Sequence, residues 1–246
     1  MTLDEIRDAL EQGDHERVLR LTEAVLARRP GDDAAHEYRA RAFLALGRAD
    51  EAERHAADAV RLDPDEVRYR ELLAQTLSAI GAHRDAAAEF GRLARNDPRQ
   101  TTWTVAEAEE RLGAAQPGMG VEAARRAVRL APRNGRAQLA LSHALARTGD
   151  ARGALQAATM ASELLPGEAD AREALADAQW LADRDSDAFM EFRELASEGR
   201  GADRDRIFRK ARTLYLQHAG LGGRLLAAVE PLFRLAFARG WLHVRR

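Results

Sequence analysis

Five of the seven prolines, Pro30, Pro64, Pro98, Pro132 and Pro166, stand 34 residues apart. A fixed period of this size decides a fold before any other reading, because each period must be one structural unit packed on the next. The glycines keep the same beat: Gly13, Gly47 and Gly81 are 34 apart, and Gly149 falls 68 further on. Three more columns hold small or aliphatic residues. They are Ile6, Ala40, Ala74, Ala108, Ser142 and Ala176; Val18, Ala52, Ala86, Gly120, Ala154 and Ala188; and Val25, Ala59, Leu93, Ala127, Ala161 and Leu195. Columns of small residues mark places where two helix backbones approach closely.

Each unit therefore reads as two helices. Glycine ends the first, where a left-handed backbone is needed. Proline closes the second, because it cannot supply the donor that a continuing helix requires. Asp14, Asp50, Asp85 and Asp150 lie where the second helix should be capped. One such hairpin cannot bury its apolar face alone, but a stack can. Composition agrees: aromatic residues are 5% of the chain, against strand-built folds, while 52 of the 246 residues are Ala. With no Cys, disulfides, Cys-ligated zinc and thiol nucleophiles are excluded.

The segment Gly47-Arg-Ala-Asp-Glu-Ala-Glu-Arg-His-Ala-Ala-Asp-Ala-Val-Arg-Leu-Asp-Pro64 resembles the second-helix pattern of the tetratricopeptide repeat family. The segments ending at Pro30 and Pro166 are similar to it. The resemblance covers residues 2–199 as six units. It implies an all-α fold, a right-handed α-solenoid of antiparallel helix hairpins with 34-residue repeats. Three departures stand out. The aromatic expected early in each first helix is replaced by His36, Arg70, Thr104, Gln138 and Arg172. The fourth unit lacks Gly at its turn, so its first helix should stop early and its turn should be longer. The sixth has Asp183 in place of Gly and Arg200 in place of Pro.

The expected domains are a repeat body over 1–199 and a degenerate seventh pair over 200–246. In the latter, Arg204–His218 should be one helix and 219–223 a turn. Arg224–Val244 should be a long second helix, with Pro231 kinking it or marking its true start. The formal net charge of −2 divides along the same line. Residues 200–246 carry 11 basic and 3 acidic residues, which leaves 27 and 37 for residues 1–199.

Catalytic motifs are absent: there is no Gly-x-Ser-x-Gly and no Walker sequence. Asp183, Asp185, Asp187 and Glu194 have calcium-loop spacing, but Ala188 stands where the sharp turn needs Gly. A capped turn, with Ser186 or Asp185 capping the second helix, is the preferred reading. The seven His show no helical ligand spacing beside a carboxylate, so they read as scattered surface imidazoles and no metal or cofactor is expected. Gly118-Met-Gly120 reads as a loose turn rather than a phosphate loop. The expectation is a non-enzymatic scaffold or adaptor.

The resemblance implies that first helices line a concave groove that takes a protein or peptide. Its columns would be Glu37, Glu71, Val105, Leu139 and Glu173, then Arg41, Gln75, Glu109, His143 and Asp177. Arg68, Arg136, Arg147, Leu44, Leu112 and Trp180 would border them. The family's chaperone-binding branch clamps a terminal carboxylate with Lys, Asn and Arg, a pattern that Glu and Gln interrupt here. Val105, Leu139 and Leu112, flanked by Arg136 and Arg147, point to a peptide with apolar anchors and some acidic residues.

The C-terminal helix offers a second surface. Leu225, Val229, Leu232, Phe233, Ala236, Phe237 and Leu242 share one face, with Trp241 at its edge. Arg224, Arg234, Arg239, Arg245 and Arg246 lie opposite. Core packing over the sixth repeat leads. Docking of a partner or a second copy, and contact with an anionic membrane surface, follow as the alternative function of a peripheral membrane or assembly factor. The acidic repeat body argues against nucleic acid. With no basic, apolar leader at Met1-Thr-Leu-Asp-Glu-Ile and no charge-free 18-residue window, the expected location is the cytoplasm.

Overall fold

A computed structural model describes residues 3–228 and 230–244. Every regular element among them is an α-helix. Six hairpins follow the period: α1 (Leu3–Glu11) with α2 (His15–Leu26), α3 (Asp33–Ala45) with α4 (Ala49–Leu62), and α5 (Val67–Ala79) with α6 (His83–Asn96). Next come α7 (Thr101–Gly113) with α8 (Pro117–Leu130), α9 (Gly135–Thr148) with α10 (Ala151–Leu164), and α11 (Ala169–Leu181) with α12 (Asp185–Glu198). Three helices close the chain: α13 (Gly201–His218), α14 (Leu221–Ala228) and α15 (Glu230–Ala238). The fold class is the all-α solenoid of helix hairpins. The chain divides into two compact units, residues 1–123 and 124–246.

All eighteen members of the three small-residue columns are buried. In the first unit they join local apolar clusters. One holds Ile6, Val18, Val25, Phe43 and Ala52, and another holds Ala74, Phe90, Leu93 and Trp103. Ala40, Ala56 and Leu72 form a third. In the second unit Leu139, Ala161 and Ala174 form one cluster. The largest joins the sixth hairpin to the closing helices through Phe189, Phe192, Phe208, Leu214, Phe233 and Phe237.

Each hairpin turn is the same hydrogen-bonded device. Gly47 N–H donates to the Leu44 carbonyl and Arg48 N–H to that of Phe43. The same pair of bonds recurs at 13/14, 81/82, 115/116, 149/150 and 183/184. This two-bond cap places its penultimate residue in the left-handed region. Gly13, Gly47, Gly81 and Gly149 occupy it at φ +72 to +81°, but Ala115 and Asp183 adopt φ +55 and +56° in the same place. The fourth hairpin is thus neither shortened nor loosened, contrary to expectation. Its α7 has the 13 residues of α3 and α5, and Ala115 bears the strain that glycine avoids elsewhere. Pro117 is the first residue of α8, where its missing donor costs nothing. Gly118-Met-Gly120 is therefore the first turn of a helix and not a loose loop.

The caps need a further correction. Asp14 and Asp150 do cap, accepting from the Arg17 and Gly153 N–H groups. Asp50 and Asp85 lie inside the first turns of α4 and α6, where they complement the helix dipole instead. Neither Asp185 nor Ser186 caps α12, whose cap position is Arg184.

The closing helices also differ from expectation. The first begins at Gly201, and the turn after it is only Ala219-Gly220. No helix runs on to Val244. Pro231 is the second residue of α15 and marks a start rather than a kink. Gly240, at φ +68°, stops α15 with the same two-bond cap, through Trp241 N–H to Ala236 and Gly240 N–H to Phe237. Val229, Arg245 and Arg246, and the side chain of Leu225, lie outside the described residues.

Candidate functional site

In the first unit the groove columns form a polar network on the first helices. Glu37 on α3 is 3% exposed. Its Oε1 accepts from Arg41 Nε at 3.0 Å, while Arg68 of α5 approaches its Oε2 at 3.7 Å. That Oε2 is buried and makes no hydrogen bond. Both arginine side chains keep about half of their surface in solvent, 42% for Arg41 and 52% for Arg68. Arg68 lies over the Tyr69 ring at 5.1 Å. Tyr69 O–H donates to Asp33 at 2.8 Å. Burial first, and then that bond, raises the Tyr69 pKa, so the hydroxyl remains a donor. Trp103 of α7 donates to Glu71 at 3.2 Å, and Gln75 is exposed beside them. Glu109 lies on α7 and is exposed.

In the second unit the first helices present a different surface. Arg136 pairs with Glu168 at 2.7 Å. His143 has an open edge, yet the surrounding protein desolvates its ring enough to lower its pKa against the pull of Asp177, Asp170 and Glu173. Arg147 is exposed. Lys210 of α13, the single Lys of the chain, donates to Glu173 at 2.7 Å and also to Asp177. Burial opposes ionisation of Glu173, but its bonds to Lys210 and Arg206 prevail and lower its pKa. At Asp177 burial dominates and raises it. A cavity of about 220 Å³ adjoins this cluster, lined by Asp170, Glu173, Arg200, Asp203 and Arg206 among others. Lys210 and Arg206 were missed in the sequence because the period fades before them. The hint was a near-period separation: Lys210 stands 33 residues after Asp177, one short of the repeat.

Two predicted anchors do not reach the surface. Val105 is 6% exposed and Leu139 is 3% exposed, the latter packed with Ala161 and Ala174. An apolar residue on a face narrowed by alanine columns sinks between its neighbours. Trp180 is also turned inward, edge-on to Phe192 at 6.2 Å with its N–H on Gln217. At the C-terminus, Phe233 and Phe237 are buried in the closing core and are not a docking face. Arg234 pairs with Asp205 and Glu230 and covers the Phe208 ring. Arg224 donates to the Ala219 carbonyl. Leu232, Leu235 and Trp241 remain exposed, with Arg239 stacked on Trp241.

The acidic run 183–194 is no calcium loop. Asp185 meets His218 at 2.6 Å, Asp187 pairs with Arg184, and Glu194 pairs with Arg172. Nor are all the histidines scattered. His36 of α3 and His55 of α4 meet with their Nδ1 atoms 3.0 Å apart, beside Asp58. Their separation of 19 residues hid them from a search for ligands on one helix. Burial, then the charges of Arg39 and His36, pushes His55 down to about 4.

The repeated cap, the buried columns and the hairpin pairing are those of stacked helix hairpins. Residues 9–76 match the tetratricopeptide repeat model. That segment carries tetratricopeptide repeats. Among solved structures it is similar to MamA, with a TM-score of 0.61 at 16% identity over 67% of this chain and 96% of the other. A second MamA structure, from Desulfovibrio magneticus RS-1, gives 0.60 at 18% over 67% and 93%. YrrB, described as a TPR protein with an unusual peptide-binding site, gives 0.55 at 16% over 72% and 91%. No curated protein sequence matches the chain. Among the described residues, no helix is long and apolar enough to cross a membrane.

Proposed function

We propose that this tetratricopeptide-repeat protein is a non-catalytic scaffold that holds an extended, acidic segment of a protein partner on the first-helix face of its first unit. The observation that carries this reading is the Arg41–Glu37–Arg68 arrangement. A buried carboxylate holds the half-exposed Arg41 by a hydrogen bond and attracts the half-exposed Arg68, which Glu66 and Tyr69 also hold, so their planar donors are ordered before a partner arrives. Arginine so held matches carboxylate oxygens two at a time and loses little side-chain freedom on binding. Gln75 adds an exposed amide for a backbone group, and Trp103, mostly buried beside Glu71, stiffens the floor. The peptide-binding description of YrrB supports a peptide ligand on this fold.

A peptide array probed with the full-length protein tests the reading. Acidic peptides should be retained, and the Arg41→Ala/Arg68→Ala double variant should lose them without losing helicity. Unchanged retention by that variant would remove the face from consideration.

A second reading concerns α15, whose exposed Leu232 and Leu235 lie near Trp241 and Arg239. Here the C-terminal helix joins a second copy of the chain or rests on an anionic membrane surface. Light scattering and liposome flotation with Leu232→Ser/Leu235→Ser separate the two. A monomer that never floats excludes both.

A further inference from the structure

The columns that hold His36, His55 and Asp58 recur in the sixth hairpin as Arg172, Glu191 and Glu194. There the guanidinium of Arg172 is the cation at the centre. It donates to Glu191 at 2.6 Å, Glu194 at 3.2 Å and Glu198 at 2.7 Å. In the third hairpin Arg70 meets Glu89 at 2.9 Å in the same two columns. The fold thus brings these side chains together in every register where they are long and polar, and in two repeats it seals the corner with an arginine. The second repeat has the electron-pair donors and lacks the cation.

We propose that His36, His55 and Asp58 bind a divalent transition-metal ion of the zinc class, which takes the place that arginine fills in the third and sixth repeats. The three residues offer one ligand atom each, all within 4.8 Å of one another. His36 is 7% exposed, and its Nε2 lies 3.0 Å from the Pro30 carbonyl. A carbonyl only accepts, so Nε2 carries the hydrogen and neutral His36 presents a bare lone pair at Nδ1. A metal-ligating imidazole is oriented in this way, by a hydrogen bond from its other nitrogen to a fixed acceptor. Nδ1 of His55 is 3.0 Å away, and Asp58 Oδ2 is 3.7 Å from His36 Nδ1. Two imidazole nitrogens around one tetrahedral zinc lie about 3.3 Å apart. The pair therefore needs to open by only a few tenths of an ångström.

Supporting contacts hold the other two ligands. The His55 ring stacks on Phe43 at 5.6 Å, with an interplanar angle of 11°. Asp58 is steadied through its second oxygen by Arg61 at 2.8 Å. Metal entry replaces the His55 N–H···N His36 bond by two nitrogen–metal bonds, with the His55 proton moved to its other nitrogen. Imidazole, imidazole and carboxylate are a donor set suited to zinc and its neighbours rather than to calcium or magnesium. Three protein ligands leave the fourth position to water.

The test uses the full chain, freed of metal by a chelator and titrated with zinc by calorimetry and with cobalt by absorption. One equivalent of tight binding, with an intense tetrahedral cobalt spectrum, is expected. The His36→Arg/His55→Glu variant rebuilds the arginine–glutamate corner of the third and sixth repeats, so it should fold with unchanged helicity and lose that equivalent. His36→Gln is the second variant. Gln138 occupies this column in the fifth repeat and donates to the Pro132 carbonyl at 3.0 Å, so glutamine fits the corner. Loss of an orienting partner alone costs about 10–100-fold in affinity, and loss of the ligand itself should cost at least the upper figure. Absence of a one-to-one zinc complex in the parent chain, or binding retained within a few-fold in both variants, would overturn the proposal. The second result would assign the zinc to other histidines, such as His83 beside Glu110.

Discussion

The regular hairpins and the closing helices solve the same packing problem by opposite means. In the hairpins, alanine removes bulk where helices cross. Ala40, Ala52, Ala59, Ala74, Ala86 and Ala108 are all fully buried. In the closing region the period has gone and bulk is added instead. Phe208, Phe233 and Phe237 meet mostly edge-on, with centroids 5.3–6.0 Å apart, and Tyr215 joins Phe233 at 5.4 Å. A repeated crossing fixes the backbone distance, so every repeat needs the same small residue. A single, unrepeated junction fixes nothing in advance, and large rings fill what remains.

The difference is sharpest when each region is given the residue the other uses. Phe233→Ala opens a cavity among three rings. It should cost about 3–5 kcal/mol, the usual range for a buried aromatic truncated to alanine. Chemical denaturation followed by circular dichroism reads it, and a loss under about 1 kcal/mol would show that the aromatic cluster does not fasten the closing helices.

The converse change, Ala74→Leu, forces three heavy atoms into a crossing lined by Phe90, Leu93 and Trp103. Overpacking of this kind costs about 1–3 kcal/mol. A neutral result would mean that α5 can shift, and the alanine columns would then reflect composition rather than close approach.

Much of this was legible in the sequence, for a physical reason. A residue seen once is ambiguous, but one seen at 34-residue intervals reports a position in space. The columns of Ile6, Val18 and Val25 therefore mark helix crossings in the sequence itself, and every member is buried. The period also located the turns. It did not show what happens where the pattern breaks, because the main-chain hydrogen bonds of the turn are indifferent to side chain and Ala115 and Asp183 accept the same geometry. The groove was the least legible part. Whether Val105 and Leu139 are anchors or core depends on how far a face sinks between its neighbours, which spacing cannot report. The His36–His55 contact lies across two helices and is visible only once Arg70–Glu89 and Arg172–Glu191 show that those columns meet.

The smallest effects test whether the turn is one device throughout. An added Cβ at Gly81 would meet nothing within 4 Å, so Gly81→Ala measures backbone strain alone. The left-handed region costs an L-residue about 1–2 kcal/mol, and the reduced freedom of the unfolded chain returns about 0.4–1 kcal/mol. A net loss of about 1 kcal/mol is expected. Ala115→Gly is the same substitution reversed at the equivalent position, φ +55°. It should raise stability by a similar or slightly smaller amount, because the cap bonds from 115 to Leu112 and from 116 to Arg111 are main-chain and survive. Asp183→Gly should gain least, since Asp tolerates this region better than Ala. The order, loss at 81, gain at 115 and a smaller gain at 183, can be read from thermal melts of three single variants. If Ala115→Gly destabilised the protein instead, the methyl of Ala115 would be making contacts worth more than its strain, and the fourth turn would not be equivalent to the others.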